Sequence, residues 1–313
     1  MQGLELSERF YREFGEPMLQ QNFPELLNLI AVGLAGSGSE CFGYDDGIST
    51  DHDFEPGFCI FLPGEDVIDR RTEFALERAY SKLPREFMGY KRSALSPVGG
   101  NRHGVMRMSD FFSEKTGSAD GNLTANDWLL LSEQSLLEAT NGKVFFDGLG
   151  EFTEIRERIS YMPEDVRLKK LAGNLLVMAQ SGQYNYSRCI SRGETGAAQL
   201  AAIEFVKGTL NVIFLLNRRY VPYYKWTFRA LRGLDILSSC YDLLEYLISS
   251  ENSAAQALKK GKIIERICKD VIKEIMTQGL TSYVGEELEG HAYSVNDKIH
   301  DGGIRNLHIL YAV

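Results

Sequence analysis

Six carboxylates crowd into the sixteen residues 40–55 of this chain: Glu40, Asp45, Asp46, Asp51, Asp53 and Glu55. No Lys or Arg lies between Arg12 and Arg70. Carboxylates this dense repel one another unless solvent or a cation screens them. They read either as a solvated acidic loop or as a site for a divalent metal. The order of residues favours chemistry. Gly38-Ser39 follows an apolar segment and should open a turn whose backbone N–H groups can meet phosphate oxygens. Gly43 is a second small residue, placed where the chain could pass close to a ligand. Thr50-Asp51-His52-Asp53 then leads toward the apolar run FCIFL, Phe58 to Leu62. In an extended segment residues i and i+2 share a side, so Asp51 and Asp53 would converge while His52 turns away. Two convergent carboxylates beside a phosphate-binding turn suit a Mg²⁺–nucleoside triphosphate, which needs hard oxygen ligands and backbone donors.

Gly38, Ser39, Gly43, Asp51 and Asp53, with Thr50 at a position where Ser or Thr is common, resemble the active-site signature of the polymerase-β-like nucleotidyltransferase superfamily. In that signature Gly-Ser precedes Asp-x-Asp by about ten residues and a strand follows. The longer string GSGSE–FGYDD–ISTDHD also looks like an uncharacterised bacterial family of nucleotidyltransferase-like proteins with no assigned substrate. The resemblance implies an α+β fold with a small mixed sheet and helices. It also implies Mg²⁺ or Mn²⁺ held by Asp51 and Asp53, and a nucleoside triphosphate, ATP by preference, as substrate. One feature departs from the pattern. The superfamily carries a third carboxylate on a later strand, and the best strand for it, Gly104 to Met108, has no acid. Asp110 just beyond it, or Glu55, would have to serve. The neighbouring His103 reads as a structural hydrogen-bonding residue.

Such a site needs a scaffold, and 313 residues suggest two domains. Helical spacing runs through Leu4 to Glu16, Val67 to Leu83 and Asp127 to Ala139, the last with Asn126 as its cap. Phe23 to Val32 reads as a helix or a helix running into a strand. Phe58 to Leu62, Gly104 to Met108 and Lys143 to Phe146 read as strands. From Glu151 onward strand signals fade, and long helical periods cover Asp165 to Ser181, Glu194 to Asn217, Lys225 to Arg232, Ile236 to Ser249 and Ser253 to Thr277. The expected layout is a nucleotidyltransferase-like domain over 1–150 and an all-α helical bundle over 151–313. Charge follows the same division, with 24 acids against 13 bases before residue 151 and 19 against 21 after it.

Antibiotic nucleotidyltransferases share this layout. In them a Glu of the helical domain can serve as the base for the acceptor hydroxyl, which the resemblance would place at Glu204. The competing reading pairs Glu204 with Lys207, three residues on along the same helix. The segment Arg218 to Trp226 is dense in cations and aromatics. It reads either as a packed loop or as a wall that holds triphosphate through Lys225 and stacks a ring on Tyr223 or Trp226.

Other classes are excluded. Walker, GxSxG, HExxH and EF-hand patterns are missing. The net charge of −9 argues against nucleic acid held by electrostatics alone. The longest apolar stretch, near Leu26 to Ala35, is interrupted and short for a bilayer, so no membrane partner is expected. The N-terminal residues do not resemble a secretory leader, and five scattered cysteines suit reduced thiols and a cytoplasmic location. The expected activity is metal-dependent transfer of a nucleoside monophosphate to a hydroxyl of a small molecule or protein, the acceptor being unidentified. The alternative is a catalytically degenerate nucleotide-binding or interaction (toxin–antitoxin-like) protein. The sequence leaves open whether the chain forms a homo-oligomer.

Overall fold

The computed structural model describes residues 2–47, 55–92 and 103–313. The fold is α+β. Its strands are β1 (Ala31–Leu34), β2 (Cys59–Leu62), β3 (Glu86–Phe87), β4 (Tyr90–Lys91), β5 (Gly104–Arg107) and β6 (Lys143–Asp147). Among the described residues, four of these make one mixed sheet in the order β5-β2-β1-β6, and β3 with β4 makes a small hairpin. β1 runs antiparallel to both neighbours, whereas β2 and β5 are parallel, with Cys59 opposite Gly104. β1 and β2 are buried at every position, which explains their unbroken apolar sequences.

The chain divides into two compact units, Met1–Leu123 with Gln134–Ser160, and Thr124–Glu133 with Tyr161–Val313. The sheet belongs to the first. Its core is aromatic: Phe61 stacks on Phe152 at 4.0 Å and meets Phe111 edge-on at 5.1 Å. That packing ties the helix Glu151–Arg158 to the first unit, beyond the residue-150 boundary read from sequence. Tyr80 fixes the approach to β2, its hydroxyl donating to the Phe58 carbonyl at 2.8 Å and accepting from the Phe58 N–H at 3.1 Å.

The helix expected over Asp127 to Ala139 is two helices, Ala125–Leu130 and Glu133–Thr140. Thr124, not Asn126, caps the first, in a reciprocal capping box with Asp127. That first helix packs on Glu164–Met178, which places it in the second unit. Glu164–Met178 is buried on almost all sides and packs against Thr195–Leu216 and Leu288–Asn296. Thr195–Leu216 is long and apolar enough to cross a membrane by length and composition, but 61% of its most apolar window is buried inside the protein. A buried core helix accounts for that composition.

Candidate functional site

The loop leaving β1 is where the sequence-predicted turn lies. Gly36 adopts φ +130°, a conformation that favours glycine. From Gly38 the backbone winds into helical turns, with Cys41 N–H donating to the Gly38 carbonyl at 3.0 Å and Tyr44 N–H to the Ser39 carbonyl at 2.9 Å. The N–H groups of Ser37, Gly38 and Ser39, just ahead of and within the first turn, have no hydrogen-bond partner among the described residues. Free N–H groups at the start of a helical turn form a cradle for an anion.

Beside this cradle lies a cavity of about 160 Å³, whose walls include Gly36, Ser37, Gly38, Glu40, Asp110 and Lys115. Glu40 is buried and lies against Gly38 so closely that a Cβ there would stand 2.0 Å from its Oε1. Lys115 comes from the helix Met108–Thr116, which follows β5 directly. Its ammonium sits 3.1 Å from both Glu114 and Glu138. Burial acts to lower the Lys115 pKa, but the hydrogen bonds and charges of Glu138 and Glu114 outweigh it and the net shift is upward. The ammonium is therefore held charged at the cavity wall.

Of the residues singled out in the sequence, Gly38 lines this cavity. Ser39 contributes its carbonyl to the turn and an open N–H. Gly43 ends the turn at φ +68°, a conformation that favours glycine, with open space where a Cβ would stand. Asp51 and Asp53 lie outside the described residues. Asp110 is exposed in the first turn of its helix and reaches the cavity. Glu55 instead meets His103, whose Nδ1 is 3.3 Å away, while His103 Nε2 is buried without a hydrogen-bond partner. Among the described residues no three His, Cys, Asp or Glu side chains are placed to hold a metal. Glu40 and Asp110 are donors of the hard-oxygen kind that Mg²⁺ takes.

Several contributors have no clear mark in the sequence. Gly36 and Ser37 come earlier than the Gly-Ser pair chosen there. Lys115 shows no motif, and Glu40 stands out only as the first of the acidic run. Asn141, from the turn before β6, bonds to Gly36 across 105 residues of sequence. Asn141-Gly142 is a turn signal, but nothing in it reveals what its side chain reaches.

The residues of the second unit are arranged as follows. Glu204 Oε1 is 3.1 Å from Lys207 Nζ, and both side chains are more than half exposed. A surface ion pair accounts for this charge on an apolar helix. Lys225 is exposed and lies over the Trp226 ring at 4.8 Å, which Arg229 also approaches. Tyr223 packs on Tyr224 at 4.2 Å. Lys225 and Trp226 thus engage each other as a cation–π pair.

Comparison with known proteins adds two likenesses. A family described as a domain of unknown function (DUF4037) matches residues 128–227. The chain is also similar to the crystal structure of a nucleotidyltransferase-like protein from Exiguobacterium sibiricum 255-15, at 13% identity and a TM-score of 0.37, over 90% of each chain. No curated protein matches.

Proposed function

We propose that the first unit binds a nucleoside triphosphate and transfers its nucleoside monophosphate to an acceptor hydroxyl. The observation that carries this reading is the row of open N–H groups at Ser37, Gly38 and Ser39 on a cavity lined by Glu40, Asp110 and Lys115, in a chain where Asp51-x-Asp53 follows Ser39 by twelve residues. The cradle suits the β- and γ-phosphate oxygens, and Lys115 offers a cation on the same cavity. Acids beside a phosphate site raise its local negative charge, so triphosphate binding there calls for a divalent ion. Asp51 and Asp53 are the residues assigned to hold it. Mg²⁺ or Mn²⁺ supplies charge neutralisation at the α-phosphate when bound. In the transfer, the acceptor oxygen forms a bond to the α-phosphorus and the bond to the β-phosphate oxygen breaks. Pyrophosphate leaves with that electron pair, and the hydroxyl proton passes to solvent or a base. The protein's share is positioning and electrostatic stabilisation of the spreading charge.

Thermal melting with ATP tests the reading. A rise in Tm with Mg²⁺ present and much less with EDTA is expected; equal shifts in both, or none with any nucleoside triphosphate, would reject it. Incubation with labelled ATP, GTP, CTP and UTP and a panel of hydroxyl acceptors then tests transfer. A second reading, nucleotide binding without transfer, is favoured by one observation: β5, Gly104–Arg107, carries no acid. Metal-dependent binding without labelled product for any acceptor would select it.

A further inference from the structure

We propose that Asn141 is the positioning residue of the phosphate cradle, and that Asn141-Gly142 grips the loop on both sides of the open N–H groups; this rests on the triphosphate-binding reading above. On the upstream side, the Asn141 amide makes a reciprocal pair with the two backbone groups of one residue. Its Oδ1 accepts from the Gly36 N–H at 2.9 Å and its Nδ2 donates to the Gly36 carbonyl at 2.7 Å. On the downstream side, the Gly142 N–H donates to the Cys41 carbonyl at 2.9 Å. Ser37, Gly38 and Ser39 lie between these two anchors. Contact is so close that a Cβ on Gly142 would stand 1.9 Å from the Leu34 carbonyl oxygen.

The grip is itself braced. Arg156, on the helix Glu151–Arg158, donates through Nη2 to the carbonyls of Thr140 and Asn141, both at 2.5 Å. One guanidinium thus fixes the backbone of the gripping turn from behind. Burial lowers the Arg156 pKa, as expected for a cation whose bonds go to neutral carbonyls.

Side-chain chemistry explains why the position takes Asn. Only a primary amide offers an acceptor and a donor side by side. An Asp would face the Gly36 carbonyl with a second acceptor. A Gln would carry the amide one methylene too far. Open N–H groups bind an anion well only if they are already held in place, because otherwise the ligand must order the loop. Asn141 and Gly142 do that ordering within the fold.

The test is calorimetric titration of Mg·ATP into the full-length protein and into Asn141→Ala, with amide hydrogen exchange of residues 36–41 and Tm measured alongside. Asn141→Ala should weaken ATP binding by about tenfold or more, speed exchange across the loop, and leave the protein folded at the assay temperature. Arg156→Lys, whose nitrogen ends one bond short of the Nη2 position that reaches both carbonyls, should move affinity and exchange the same way by less, and it serves if Asn141→Ala does not fold. Unchanged affinity beside an unaltered protein that binds ATP would overturn the positioning role alone. Faster exchange with unchanged affinity, or a lower Tm alone, would also overturn it, because a merely structural contact does that much. No ATP binding by the unaltered protein would overturn the nucleotide reading, and the positioning role with it.

Discussion

Lys260 donates to the side-chain oxygen of Gln199 at 2.8 Å from a position that solvent does not reach. Two more oxygens complete its shell, the Ser250 carbonyl at 2.6 Å and Asn252 Oδ1 at 3.1 Å. None is a carboxylate. The ammonium joins the helix Thr195–Leu216 to the end of Tyr241–Ser249 and the start of Ala254–Thr277 by hydrogen bonds alone. Burial lowers its pKa accordingly. Lys260→Met keeps the length but takes a donor from three part-buried acceptors, of which Gln199 Oε1 still accepts from Asn252 Nδ2 and Asn252 Oδ1 from the Tyr186 hydroxyl, both at 3.0 Å, and should cost about 2 kcal/mol. Urea denaturation measures this; a variant as stable as the parent would show that the three oxygens find other partners.

The acid limb of stability should pass through Glu164. Its pKa is lowered first by the hydrogen bond from Arg167 and further by the charges of Arg167 and Arg218. The folded value lies below the unfolded one, so this contribution is present above the ordinary carboxylate range and is lost as pH falls through the folded pKa. The side chain is 44% exposed, and solvent screens part of the effect. Arg167 is almost fully buried, so Glu164→Gln should destabilise at pH 7 and less at pH 3, as read by urea midpoints at the two values. An equal loss at both would mean that shape, not charge, is what Glu164 supplies.

Glu204→Gln should leave nucleotidyl transfer unchanged and shift stability by less than about 1 kcal/mol, because an exposed pair contributes little. A loss of two orders of magnitude in transfer rate with ATP binding intact would restore the general-base role.

Asp51→Asn and Asp53→Asn should each abolish metal-dependent ATP binding. Neighbouring acids that repel one another in the apo protein contribute nothing to stability, so Tm should stay level or rise. A drop of several kcal/mol would mark them as structural groups.

Thiol chemistry gives a check on the core. Cys59 and Cys240 are buried, and burial pushes their pKa to about 12 and about 11. Cys189 is the one partly exposed thiol of the five. A native thiol assay near pH 8 should therefore modify Cys189 first, the buried thiols following only on unfolding. Rapid modification of Cys59 would mean that β2 opens readily.

The sequence made much of this fold readable, for identifiable reasons. β2 stands out because a short apolar run ended by Pro63-Gly64 announces a buried strand, and β5, half-buried at three of its four positions, because a short apolar run follows a glycine. The long helices of the second unit follow from their period. β1 was ambiguous: AVGL is four residues, includes a glycine, and follows LLNLI, whose spacing also fits a helix. It pairs with β6 through a register shift between Val32 and Gly33 that no local pattern encodes. Leu237, at φ +59°, delays the start of the helix read from Ile236, which begins at Tyr241 after a short 3₁₀ turn. In the site, Gly38 was legible because glycine-rich turns after apolar runs have a known use. Lys115 and Asn141 were not, because their roles arise from side chains that tertiary packing brings to the cavity and the loop.

The hydrogen bonds between Gly36 and Asn141 bear on the protein's synthesis. The cradle residues leave the ribosome well before their anchors do. At ordinary elongation rates the 105-residue interval lasts on the order of 5–20 s. β6, which completes the sheet beside β1, is made later still. Residues 36–41 therefore emerge as an unbraced nascent segment, and the turn gains its anchors only after residues 141–156 have been translated and folded back.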